Sequence, residues 1–157
     1  MNDTADTRLR QIVAKALPGA DADTVAIVSA CAGLLAGVAY ADRDFSASES
    51  REIERLLGAV DGLGPAGAQA IVATLEAHRV ELASVHITRF ARDLRELGTR
   101  DLRELVLGML VSLAAADETI THGEQSTLRT VTRALGLEQD DYNRLQSEHR
   151  DKLGTLR

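Results

Sequence analysis

From Thr24 to Ala41 the chain carries no charged residue. A run of that length approaches the roughly 20 apolar residues that a membrane span needs. It is equally the pattern of a helix that is apolar all round because protein surrounds it. The flanks favour burial: Asp23 and Asp42 bracket the run where a span would carry basic or Trp anchors, and Thr24, Ser29 and Tyr40 interrupt it. The run is therefore expected to be the buried central helix of a soluble domain, not a transmembrane segment. A second run without charge, Leu105 to Ala116, repeats the pattern further on.

Other helices must supply the cover. A chain of 157 residues accommodates one domain with a genuine core, so residues 1–157 are read as a single domain. Apolar residues make up 45% but aromatics only 3%, which leaves Ala, Leu, Val and Ile to fill the core and favours closely approaching helices over strands. The net charge of −6, with arginines scattered along the chain, gives no basic stripe for phosphates, and nucleic acid is excluded as a partner. Cys31 is the single cysteine and lies in the apolar run, so neither a disulfide framework nor a Cys-based zinc site can form. Met1 to Arg10 is polar, without the apolar stretch of a signal peptide, and a cytoplasmic location is expected.

The remaining chain reads as helices throughout. Leu9, Ile12, Val13, Ala16 and Leu17 give a first helix one buried stripe, and Pro18-Gly19 stops it. Asp21 or Asp23 caps the long apolar helix. Ser46 with Glu49 forms a capping box for a third, running to about Val60. A fourth is expected from Ala66 to about Ala83, a fifth from Ile87 to Leu97, and a sixth opens at Thr99 and Asp101. Thr121 with Glu124 is a second capping box, whose helix ends at Gly136, and a polar helix follows over 138–152. No stretch alternates with period two. The fold class is all-α, a compact bundle of seven or eight helices.

The two interruptions after the charge-free runs correspond residue for residue. Ala41-Asp42-Arg43-Asp44-Phe45-Ser46 leads to Glu49, and Ala116-Asp117-Glu118-Thr119-Ile120-Thr121 leads to Glu124. The offset is 117 − 42 = 75 residues, close to half the chain, and points to an internal duplication of a helix-loop-helix unit about a pseudo-twofold axis. A carboxylate just past a helix C-terminus faces the negative end of the helix dipole, which costs up to about 1 kcal/mol unless offset. Either the free N–H groups of the next helix accept it, or a hard divalent cation sits among Asp, Glu, hydroxyl and carbonyl oxygens. Asp42, Asp44 and Glu49 form the stronger candidate ligand set, and Asp117 and Glu124 the weaker. An EF-hand is excluded, because its Gly and Glu positions hold Ala47 and Ile53 in one loop and His122 and Leu128 in the other. Ca, Mg, Mn and Zn are not distinguished by these residues.

An apolar helix ending in Ala-Asp, an apolar residue three on, a hydroxyl next and a Glu three further resembles the TerB-like family of bacterial tellurite-resistance and stress proteins. The resemblance rests on Ala41-Asp42, Phe45, Ser46 and Glu49, repeated at Ala116-Asp117, Ile120, Thr121 and Glu124, and spans a core of about 25–137. The family's Gly after the Asp is Arg43 in one copy and Glu118 in the other. The resemblance implies an all-helical fold, acidic sites for divalent metal, a protein partner that is membrane-associated, and no established reaction.

No catalytic set emerges from the rest, and the chain is read as a non-enzyme. His78, His86, His122 and His149 are too scattered to pair at i, i+4 on one helix. His122 is read as an exposed first-turn residue, with a transition-metal role beside Asp117 as the alternative. Ser46 and Ser48 sit in no Gly-x-Ser-x-Gly elbow, and no Gly-rich phosphate loop follows a strand. The mixed charges from Arg89 to Glu104 read as a solvated, ion-paired face, with a partner-binding surface as the alternative.

Overall fold

A computed structural model describes residues 5–41, 46–84, 87–115 and 122–155. Among them are nine helices and no strand: α1 (Ala5–Ala16), α2 (Ala22–Ala39), α3 (Ala47–Leu57), α4 (Gly64–Ala77), α5 (Arg79–Ser84), α6 (Ile87–Leu97), α7 (Arg100–Ala114), α8 (His122–Ala134) and α9 (Gln139–Thr155). The helix expected over 66–83 is two. It stops at His78, whose backbone (φ −117°, ψ 21°) leaves the α region, and α5 turns from that point onto α2 with Leu82 fully buried.

Helix α2 occupies the centre, as the absence of charge after its first turn requires. Every residue from Val28 to Ala39 is buried, and α1, α3, α4, α5, α6, α7 and α8 all pack on it. Its length and composition would suffice for a membrane span, but its faces are taken up by protein. The tightest contact is with α6, whose apolar stripe of Ile87, Phe90, Ala91 and Leu94 lies along the two α2 glycines. A Cβ placed at Gly33 would stand 2.3 Å from Cε2 of Phe90, and one at Gly37 would stand 2.4 Å from Cδ1 of Ile87. Both distances are far below van der Waals contact, so the ring and the isoleucine rest directly on the α2 backbone. The glycines give up helix propensity, about 1 kcal/mol each relative to Ala, and admit Ile87, partly buried, and Phe90, whose full burial contributes about 1.5–3 kcal/mol.

The duplication extends further than the motif alone reveals. Each copy has three helices, α2-α3-α4 and α7-α8-α9. Each packing within one copy has its counterpart in the other: α2 with α3 and α7 with α8, α3 with α4 and α8 with α9, α2 with α4 and α7 with α9. Between copies, α2 packs on α7, and the second helix of each rests on the first helix of the other, α2 with α8 and α7 with α3. That exchange is the contact pattern of a pseudo-twofold pair. Helices α1, α5 and α6 lie outside the repeat.

Polar ends and clasps follow the sequence closely. Asp21 caps α2 by accepting from the Thr24 N–H at 2.8 Å, and Thr99 caps α7 by accepting from the Leu102 N–H at 3.2 Å. Helix α8 ends in a Schellman motif: Gly136 takes φ +74°, its N–H donates to the Arg133 carbonyl at 2.9 Å, and the Leu137 N–H donates to Thr132 at 3.0 Å. Helix α1 is held by Leu9, Val13 and Leu17 and by Asp6, a carboxylate only 3% exposed. Burying it is tolerable because Arg10 of α1 and Arg89 of α6 both pair with it at 3.2 Å, while Arg10 also reaches Asp93 at 3.1 Å.

Replacing Gly33 or Gly37 by Ala is expected to destabilise the fold by about 1–3 kcal/mol despite the better helix propensity, because Phe90 or Ile87 must move. For a chain of this size that is a fall of roughly 2–4 °C in Tm per kcal/mol, read by thermal unfolding. Unchanged Tm in both variants would contradict the close approach of α6 to α2.

Candidate functional site

The motif-bearing loops lie where α2 hands over to α3 and α7 to α8. On the first, α2 closes at Tyr40, whose N–H donates to the Ala36 carbonyl at 3.0 Å and whose ring lies under the Arg79 guanidinium, 5.8 Å from the centroid. The chain re-enters at Ser46, an extended N-cap residue (φ −71°, ψ 161°). There the predicted capping box is complete. The Ser46 Oγ accepts from the Glu49 N–H at 3.1 Å, and the Glu49 Oε1 accepts from the Ser46 N–H at 3.2 Å and from the Ser46 Oγ at 3.1 Å.

The capping bonds explain part of an unusual burial. Glu49 is only 5% exposed, and so is Glu124, its counterpart in the second copy. A buried carboxylate is costly unless hydrogen-bonded or paired. Each stands in the first turn of its helix, where the free N–H groups and the positive end of the dipole stabilise an anion. The core residues one turn further on match as well: Ile53 and Leu128 are both fully buried. The two copies therefore agree in side-chain environment, and not only in spelling.

Of the candidate ligands, Glu49 and Glu124 are thus placed, each buried at the start of its helix. Asp42, Asp44 and Asp117 lie outside the described residues, as does Thr121 of the second capping box. Among the described residues no three His, Cys, Asp or Glu side chains come together as a metal would need. Any cation held here would draw the rest of its ligands from the loops themselves.

Other residues singled out in the sequence fall into structural places. His122 is the exposed first residue of α8, and His78 follows the last turn of α4; His86 lies outside the described residues. Cys31 is buried in α2, and burial pushes its thiol up to about 12, which leaves it protonated and unreactive at neutral pH. The charged run from Arg89 onward forms ion pairs: Arg89 to Asp6, Arg10 to Asp93, and Arg100 to both Glu104 at 3.5 Å and Asp141 at 3.0 Å. Asp141, which also accepts from the Glu138 N–H and lies beside Arg100 and Arg144, is held below the usual carboxylate range. A groove of about 450 Å³ between α3 and α4 is lined by Arg51, Glu54, Arg55, Gly58, Pro65 and Ala68, a lining without Ser, Cys or His.

The Asp6 clasp between α1 and α6 had no signal in the sequence. Its α6 partner, Arg89, lies far from Asp6 along the chain. Ser46→Ala removes the α3 cap and is expected to lower stability by about 1 kcal/mol in urea unfolding. A change indistinguishable from zero would show that the capping box does not hold the helix start.

Comparison with known families agrees with this geometry. The family model described as tellurite resistance protein TerB matches residues 28–147, from the second turn of α2 to the middle of α9. It takes in both acidic motifs and both three-helix copies apart from the two ends; against the core of about 25–137 expected from the motif it begins slightly later and extends further at the C-terminal side. No curated protein matches the chain, and no solved structure does. With two matching copies of the motif on an all-helical duplicated fold, the chain belongs to the TerB family.

Proposed function

We propose that this protein is a non-enzymatic helical module that binds a divalent cation at its acidic loops, within a bacterial tellurite-resistance-like stress system. The observation that supports the reading is the pair of buried carboxylates, Glu49 and Glu124, each 5% exposed at equivalent positions. Each follows a loop whose sequence adds further oxygen donors, Asp42 and Asp44 in the first and Asp117 in the second. A buried carboxylate next to further acidic residues in sequence is costly when charged, and a hard cation would offset that cost by taking the oxygens as ligands. Asp42, Asp44 and Glu49 form the primary set, with Asp117 and Glu124 a weaker one. The protein's role is to present this loop to a protein partner, membrane-associated as the resemblance implies, in the cytoplasm.

The completed capping box favours a second reading. Ser46 and Glu49 already satisfy each other and the first turn of α3, so the acidic loops are also consistent with a metal-free interaction domain. Calorimetric titration of chelator-treated protein with Ca²⁺, Mg²⁺, Mn²⁺ and Zn²⁺ separates the two. Binding heat and a rise in Tm with one ion are expected, by mass action. Asp42→Ala should weaken binding more than Asp117→Ala. Glu49→Gln, which keeps the capping hydrogen bonds but loses the charge, should weaken binding while leaving the apoprotein folded. Absence of heat and of stabilisation with all four ions would leave the metal-free reading.

A further inference from the structure

The repeat exposes a difference between its two central helices. With the offset of 75 residues, Leu105, Gly108 and Ser112 of α7 correspond to Ala30, Gly33 and Gly37 of α2 (105 − 30, 108 − 33 and 112 − 37). On α2 that face is closed by α6, with Phe90 and Ile87 pressed onto the glycine backbone. Ala30 there is 1% exposed, whereas Leu105 is 62% exposed, the most exposed of the large apolar side chains among the described residues. Ser112 and Met109 beside it are only half-buried. Among the described residues, the α7 face therefore lacks the cover that its twin on α2 has from α6.

Gly108 sharpens the contrast. A Cβ at Gly33 would collide with Phe90, but one at Gly108 would meet only Cδ2 of Leu145, at 3.8 Å, an ordinary contact. Nothing within the chain's described neighbourhood demands a glycine there, although glycine costs a helix interior about 1 kcal/mol relative to Ala. A bare backbone beside an exposed leucine is what a helix needs in order to seat a bulky side chain, as Phe90 does on α2. The charges beside the face set the partner's sign. Asp101, Glu104, Asp141 and Glu148 lie along α7 and the adjoining α9 against Arg100 and Arg144, which pair with Glu104, Asp141 and Glu148. The balance is negative, and it suits a basic helix.

We propose that the α7 face of Leu105, Gly108, Met109 and Ser112 is a docking surface for a basic amphipathic helix of a partner protein, lying on α7 as α6 lies on α2. The apolar side chains of that helix recur at i, i+3, i+4 and i+7, with a Phe or Leu seated over Gly108, which is the helix-in-groove mode of recognition. The chain's own α6 shows the type: Ile87, Phe90, Ala91 and Leu94, with Arg89, Arg92 and Arg95 around them.

A labelled peptide with the sequence of residues 87–97, held helical by a side-chain cross-link, serves as the probe in fluorescence anisotropy against the full chain. Saturable binding is expected, weakened at least tenfold by Leu105→Glu and by Gly108→Leu, and weakened as salt is raised. Leu105 is exposed and a Cβ at Gly108 meets Leu145 only at ordinary contact distance, and unchanged thermal unfolding of the two variants confirms that they fold. Absence of saturable binding up to millimolar protein overturns the proposal. Binding that both variants leave unchanged also overturns it, because the peptide is then replacing α6. Sedimentation showing a dimer that Leu105→Glu dissolves assigns the face to a second copy instead, and likewise overturns it.

Discussion

Burying α2 on all sides is the constraint from which the rest of the structure follows. The stretch of α2 from Val28 to Ala39 carries no charge and is buried throughout, so the chain must supply helices to cover each of its faces. Leucine and isoleucine on the neighbours fill most of those faces. The glycine face is different, because it admits α6 only when large side chains come down onto backbone, and Phe90 and Ile87 are placed to do so. With few aromatics in the chain, that one ring carries a large share of the contact between the repeat and the helices added around it.

The duplicated three-helix unit explains how so small a vocabulary of residues makes a stable domain. Each copy buries its second and third helices against its own first helix, and the exchange of α3 and α8 across the pair ties the copies together. The acidic loops lie at the hinge of each unit, between a helix that ends in the core and one that begins with a buried glutamate. Glu49 fixes the start of α3 through Ser46, so the first turn of that helix is held by the same side chain that the motif marks.

Much of this was legible because the signals were local. Helix starts were readable from single residues, Asp21, Ser46 and Thr99, and the end of α8 from Gly136, since each acts within one turn of backbone. Cys31 and the apolar run were readable because burial follows from lack of charge. The third helix of each copy was expected as a helix but not as part of the repeat, for α4 and α9 share little pattern: α4 packs against α1, α2 and α3, whereas α9 rests on α7 and α8 and keeps a polar outer side. The break at His78 also escaped notice, because Leu75 and Leu82 are a heptad apart and look like one continuous stripe. The candidate site was half legible. Its sequence motif marked Glu49 and Glu124, but not that both would be buried, which depends on neighbours distant along the chain.

Native-state hydrogen exchange over α2 tests the central claim most directly. If α2 is the helix on which the others depend, amides from Val28 to Ala39 exchange only through global unfolding, with opening free energies equal to the total stability, while α1 and α9 exchange through smaller openings. Exchange of the α2 amides through local openings well below the global value, with α6 still protected, would contradict it.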